Sequence, residues 1–222
     1  LAGSTSAQVA PVLPVPQNVV SLSASGTVEV MQDLLVLTLS TTREGADAAS
    51  VQAQLKSALD SALTEARRSA QPGQMDVRTG NFSLFPRHDK NGKISGWQGT
   101  AELVLEGKDF PRIAATAGKI QGMAVGQVSF GLSREERNRV ASQARSQAIE
   151  KFKSEASDIA REFGFSAFTL REVSVNGSDG MEVRPRMMAM SAKASMASDA
   201  PIPVEAGKST VVVNVSGSVQ MR

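Results

Sequence analysis

The chain reads as an α+β protein, mainly antiparallel sheet with helices packed on one face, its elements in the order ββαββ and then αβαββ. Three observations carry this reading. Apolar and polar residues alternate over 18–30 and 208–221, the period of a half-buried strand, and five further segments read as strands. In three further segments the apolar period lengthens to three or four residues, that of an amphipathic helix. The helices follow pairs of strands, an order that suits antiparallel sheet with helices on one side.

The first strand covers 18–30, with Val20, Leu22, Ala24, Val28 and Val30 on one face and Ser21, Ser23, Ser25, Thr27 and Glu29 on the other. Gly26 within it marks a bulge or a close backbone approach. A turn at Met31-Gln32-Asp33 leads to a second strand, 34–42, with Leu35, Leu37 and Leu39 inward, and the two are expected to pair as a hairpin. Over 47–70, Val51, Leu55, Leu59, Ala62, Leu63 and Ala66 form a helical stripe that Asp47 caps and Pro72-Gly73 stops. Segments 75–87 and 94–106 form a second hairpin, with Asn91-Gly92 as the two left-handed positions of a type I′ turn.

Asp109-Phe110-Pro111 opens a short helix, the aspartate as cap and the proline in the first turn, where its missing N–H costs nothing. Its buried stripe is Ile113, Ala114 and Ala117. A strand over 125–130 precedes Ser133 and Glu136, spaced as a capping box in which each side chain satisfies the other's backbone N–H. The long helix 134–163 carries Ala141, Ala144, Ala148, Phe152, Ala156, Ile159 and Phe163 on one face, small enough for the helix to lie close to a sheet, and Gly164 ends it. Residues 167–176 are a strand, 177–206 a Met-, Ala- and Pro-rich loop, and 208–221 a final strand with Val211, Val213 and Val215 on one face.

Residues 1–17 read as a flexible tether ahead of one domain, 18–222, with a first half 18–107 and a second half 108–222. Leu1-Ala2-Gly3-Ser4 resembles a bacterial lipoprotein box with serine in place of cysteine, so the expectation is an exported chain whose signal segment has been removed.

Composition removes several functions. There is no cysteine, no tyrosine and one histidine, His88. A thiol nucleophile, a disulfide scaffold and a cysteine-ligated zinc or iron–sulfur site all lack their ligand. The pI near 9.1 suggests a nucleic-acid binder, yet the net charge is only +2. With neither cysteine nor tyrosine to titrate in the alkaline range, a small excess carries the pI into the lysine range. Basic residues are interleaved with acids, as in Glu135-Glu136-Arg137-Asn138-Arg139, so no nucleic-acid partner is expected.

Motif fragments lack their contexts. Gly207-Lys208-Ser209-Thr210 ends like a phosphate-binding loop, but Ile202 stands where its first glycine belongs and a valine-rich strand follows in place of a helix. Gly177-Ser178-Asp179-Gly180 lacks the strand–turn–helix of a nucleophile elbow. His88 lies between Arg87 and Asp89 near a hairpin tip, with neither a partner nor a pocket expected. Glu135 and Glu136 suit a helix N-terminus. No catalytic residue and no cofactor is expected. A weak alternative is soft-metal chemistry: Met187, Met188 and Met190, with Met181 and Met196 nearby, offer thioethers suited to Cu(I) or to reversible oxidation.

Several joints together resemble the SIMPL (DUF541) family of bacterial envelope proteins. They are Gly26-x-Val28-x-Val30-x-x-Asp33, Gly96-Trp97 with Asp109-Phe110, Gln127-Val128-Ser129-Phe130-Gly131-Leu132-Ser133, the alanine-rich helix closing at Gly164, and Pro201-Ile202-Pro203-Val204-Glu205-Ala206-Gly207. Trp97, Phe152 and Ala206 depart from the usual tyrosine, small residue and proline. The resemblance implies a non-enzymatic, exported protein of the periplasm or outer membrane. It implies a homo-oligomeric scaffold or interaction module linked to stress tolerance, associated with outer-membrane or periplasmic components.

Overall fold

In a computed structural model the described residues are 17–177 and 204–222. The elements are β1 (Val19–Met31), β2 (Leu34–Gly45), α1 (Ala48–Arg68), β3 (Asp76–His88), β4 (Ile94–Gly107), α2 (Phe110–Lys119), β5 (Ala124–Gly131), α3 (Arg134–Glu162), β6 (Phe168–Gly177) and β7 (Lys208–Met221). Among the described residues the order is the expected one, and the protein is α+β. The strands form a four-stranded antiparallel sheet, β3-β4-β2-β5, and a three-stranded sheet, β1-β7-β6, in which β6 and β7 run antiparallel. The chain forms two compact units that interleave along the sequence. Of the described residues, one holds 29–140 and 204–211, the other 17–28, 141–177 and 212–222.

The first unit is built on the four-stranded sheet. Register places Val77, Leu105, Leu37 and Val128 side by side across β3, β4, β2 and β5. Ala62 and Ala66 of α1 and Ile113 and Ala117 of α2 complete this core. The N-terminal part of α1 sets Val51 and Leu55 against Ala101, Leu84 and Trp97. Both caps form as the sequence predicts. Asp47 Oδ1 accepts from the Ser50 amide at 2.8 Å and Asp109 Oδ1 from the Arg112 amide at 3.1 Å.

Two turn expectations need correction. The β3–β4 connection is not a type I′ turn, because only Gly92 there has a positive φ (75°). The Asp89 carboxylate instead accepts from the amides of Asn91 and Lys93, and the Gly92 amide donates to the Asp89 carbonyl, so the turn starts one residue earlier, with Lys90 and Asn91 as its central pair. Nor do β1 and β2 pair as a hairpin: β1 pairs with β7, and β2 with β4 and β5. The leucines of β2 need the leucine row of β4. The small residues of β1 suit a helix instead, and Gln32 and Asp33 have their partners outside the turn.

The second unit sets α3 against the three-stranded sheet. Ala148, Phe152 and Ala156 pack with Val215 and Val219 of β7 and with Val20, Leu22 and Ala24 of β1. The alanine stripe admits the strand closely: a Cβ built on Gly26 would lie 1.8 Å from the Ala144 carbonyl oxygen. Close approach is therefore the correct reading of that glycine. Phe163 departs from the expected stripe. It is 69% exposed, past the end of α3, and Ala160 takes the last buried position.

Candidate functional site

The densest polar cluster among the described residues gathers in the first unit where β1, β2, α2 and α3 begin or end. Asp33, in the β1–β2 turn, accepts from the Ser133 amide through Oδ1 and from the Ser133 hydroxyl through Oδ2, both at 2.6 Å. Ser133 Oγ in turn accepts from the Glu136 amide at 3.3 Å, capping α3. Lys108 Nζ stands 3.7 Å from Asp33 Oδ2 and donates to Glu135 at 2.9 Å. The capping box is thus half formed: Asp33, a hundred residues upstream, takes the Ser133 amide, and Glu136 turns to Arg139 at 2.9 Å.

Partial burial pushes the Asp33 carboxyl up, but the Ser133 hydroxyl and amide and the Lys108 charge outweigh it and hold it below its ordinary value. The bond to Glu135 raises Lys108. Arg139 holds Glu136 down, and the Arg112 amide and guanidinium hold Asp109 down. Beside this cluster, Gln32 is buried, and both ends of its side-chain amide are hydrogen-bonded. Its backbone amide donates to the Gly207 carbonyl at 3.0 Å, its Oε1 accepts from the Gly207 amide at 3.2 Å, and its Nε2 donates to Ser209 Oγ at 3.1 Å.

A serine beside a carboxylate suggests a nucleophile, but the geometry assigns another role. A nucleophilic hydroxyl needs a base that will take its proton. Asp33 is held ionised by three partners, and the hydroxyl is spent between that carboxylate and a helix N–H. The cluster is a clamp on the start of α3. Charged hydrogen bonds of this kind contribute about 1.5–3 kcal/mol each when broken one-sidedly. Asp33→Ala is expected to lower the unfolding free energy by about 2 kcal/mol in denaturant titration. Because the folded-state value of Asp33 is lowered, its contribution is complete above the ordinary carboxylate range and is lost as pH falls through the lowered value. Acidification below about pH 4 should therefore destabilise the wild type more than Asp33→Asn, Asp109 and Glu136 supplying the shared remainder.

The other sequence candidates do not join this cluster. His88 is exposed at the end of β3, and its ring has no hydrogen bond or ion pair among the described residues. Lys208 pairs with Glu29 at 2.6 Å and Ser209 is buried against Gln32, so the Gly207-Lys208-Ser209-Thr210 segment is the start of β7 and not a phosphate cradle. Met187, Met188 and Met190 lie outside the described residues, as do Ser178, Asp179 and Gly180. A shallow depression on the second unit, lined by Ser21, Ser23, Glu172, Ser174, Ser216 and Ser218, offers one carboxylate and hydroxyls without a base. Sequence reasoning missed Asp33 as a cap and Gln32 as a buried tie. The available signal was two polar residues closing a strand just before a leucine run.

The joints that carried the resemblance now have structural roles: Gly26 under α3, Asp33 on the cap, Phe130 against the Phe110 ring at 5.6 Å. The SIMPL family model, described as a protein of unknown function (DUF541), matches residues 20–219. The chain belongs to the SIMPL family. No curated protein matches it. The family match covers both units and the clamp, so Asp33, Ser133 and Gly26 all fall inside the SIMPL domain. No helix among the described residues is long and apolar enough to cross a membrane.

Proposed function

We propose that this SIMPL protein is a non-enzymatic, exported envelope protein that works in the periplasm or at the outer membrane as a homo-oligomeric scaffold or interaction module in stress tolerance. The observation that carries the reading is where the polar and apolar groups are spent. Every buried side-chain nitrogen and oxygen among the described residues has a hydrogen-bond partner. The strongest polar cluster serves to cap a helix. Apolar side chains, by contrast, stand exposed along strands at the sheet edges: Leu170, Val173 and Val175 on β6, and Phe82 and Phe85 on β3. Edge strands with uncovered apolar residues are surfaces for other chains.

Sedimentation velocity should show one discrete species larger than the monomer, and a species that stays monomeric as concentration rises would count against the reading. Fractionation of the parent cell should place the protein in the envelope fractions. A cytoplasmic pool would contradict the proposed location.

A further inference from the structure

Four strands end the sheets, and they differ in what they leave open. The apolar face of β1 is covered, with Val20, Leu22 and Ala24 packed against the α3 core. β3 is interrupted at Thr79/Phe82 and at Arg87/His88 and carries Pro86, features that blunt an edge. β5 is short and meets an irregularity at Thr38/Leu39. β6 is different. After its own irregularity at Leu170/Glu172 it runs regularly from Glu172 to Gly177. Val173 and Val175 pair with Gly217 and Val215, so they point to the α3 side of the sheet, yet each is 43% exposed. The outward face of the same stretch is polar, with Glu172, Ser174 and Asn176, and Ser174 Oγ donates to Asn176 Oδ1 at 3.4 Å.

We infer that residues 172–176 of β6 pair antiparallel with the same residues of a second copy, about a two-fold axis at Ser174. The inference rests on the oligomeric reading above and names its seam. A two-fold axis perpendicular to the sheet must lie midway between a residue and the same residue of the other copy, because opposite residues share a face. Few such centres exist on this strand. A centre at Glu172 sets two like carboxylates opposite each other. A centre at Val173 sets Val175 against Arg171, and one at Val175 sets Val173 against Gly177. The centre at Ser174 sets Val173 against the other copy's Val175 twice over. It sets serine hydroxyl against serine hydroxyl, and the Glu172 carboxylate against the Asn176 side-chain amide, whose oxygen already accepts from Ser174. The Glu172 carboxylate makes no hydrogen bond or ion pair among the described residues, so it is available for that contact. The pair would join two three-stranded sheets into one of six strands, with both α3 helices on the same face and the four valines between them. Cross-strand valine pairs of this kind are the unit of sheet stabilisation.

The chain has no cysteine, which gives the seam a clean test. Facing residues in an antiparallel pair hold their Cα atoms about 4.5–5.5 Å apart, within disulfide range. Full-length Ser174→Cys should form a covalent dimer on mild oxidation, while Ser23→Cys, exposed on the opposite edge strand, should not. Val173→Lys, also an exposed site, should at the same time reduce the mass in solution. If the wild type is oligomeric but Ser174→Cys stays uncrosslinked, or both cysteine variants crosslink alike, the seam is overturned and the oligomeric reading stands. An edge taken instead by the chain's own residues 178–203 would give that first result. A monomeric wild type would overturn both.

Discussion

Gly26→Ala is expected to disrupt the second unit. The added methyl group would sit 1.8 Å from the Ala144 carbonyl oxygen and 2.8 Å from the Ala148 amide nitrogen, both backbone atoms of α3. No rotamer change relieves a clash with backbone, so strand and helix must separate. Separation opens the packing of Phe152, Ala156, Val215 and Val219, which is the core of that unit. Overpacking that side-chain movement can absorb costs about 1–3 kcal/mol. Here about 3 kcal/mol or more is expected, enough to remove cooperative unfolding of that unit in a denaturant titration. Gly118→Ala is the control. That glycine lies in α2, its Cβ would meet nothing within 4 Å, and helix propensity predicts a gain of about 0.5 kcal/mol. Equal effects at the two positions would mean that β1 and α3 are not in backbone contact.

Leu105→Ala should be nearly as costly in the first unit. Leu105 is fully buried and stands between Val77 and Leu37 in the row that crosses all four strands. Truncation removes its transfer free energy and leaves a cavity that neighbours locked in a sheet cannot close. The expected loss is about 3 kcal/mol, read as a lower midpoint in urea at unchanged slope. Leu105→Met, which keeps the volume, should cost about 1 kcal/mol. If alanine and methionine behave alike, Leu105 is not at the centre of that core.

Much of the fold was legible because its signals are local. The period-two runs of β1, β2 and β7, the stripe of α1, and the caps Asp47 and Asp109 each depend on residues within a few positions of one another. The elements came in the expected order for that reason. Partner choice was not local. β1 and β2 alternate equally well, and only the match between small residues on β1 and the alanine face of α3 separates them into different sheets. The capping box at Ser133 fits its sequence pattern, yet Asp33 takes both the Ser133 amide and the Ser133 hydroxyl, in two bonds of 2.6 Å, while the Glu136 carboxylate pairs with Arg139. The turn at Asn91-Gly92 was misread because the Asp89 side chain, not the Asn-Gly pair, organises it. The Met-rich segment around Met187, Met188 and Met190 remains a matter of sequence, and Cu(I) competition against a chelator, wild type beside a leucine-substituted variant, is its test.

The surface is where sequence said least. Register with β7 turns Val173 and Val175 inward on β6, a facing not assigned from the sequence, and whether a helix covers them depends on where α3 runs, which follows from Gly26 and the alanine stripe. The two valines are inward-facing yet uncovered, and this links the fold to the proposed assembly.

The most direct test of that account is the absolute mass of the wild-type chain in solution, by light scattering across a wide range of concentration. A discrete mass at an even multiple of 23.3 kDa is the predicted result, since a two-fold seam builds from pairs. A mass of 23.3 kDa at every concentration would contradict it.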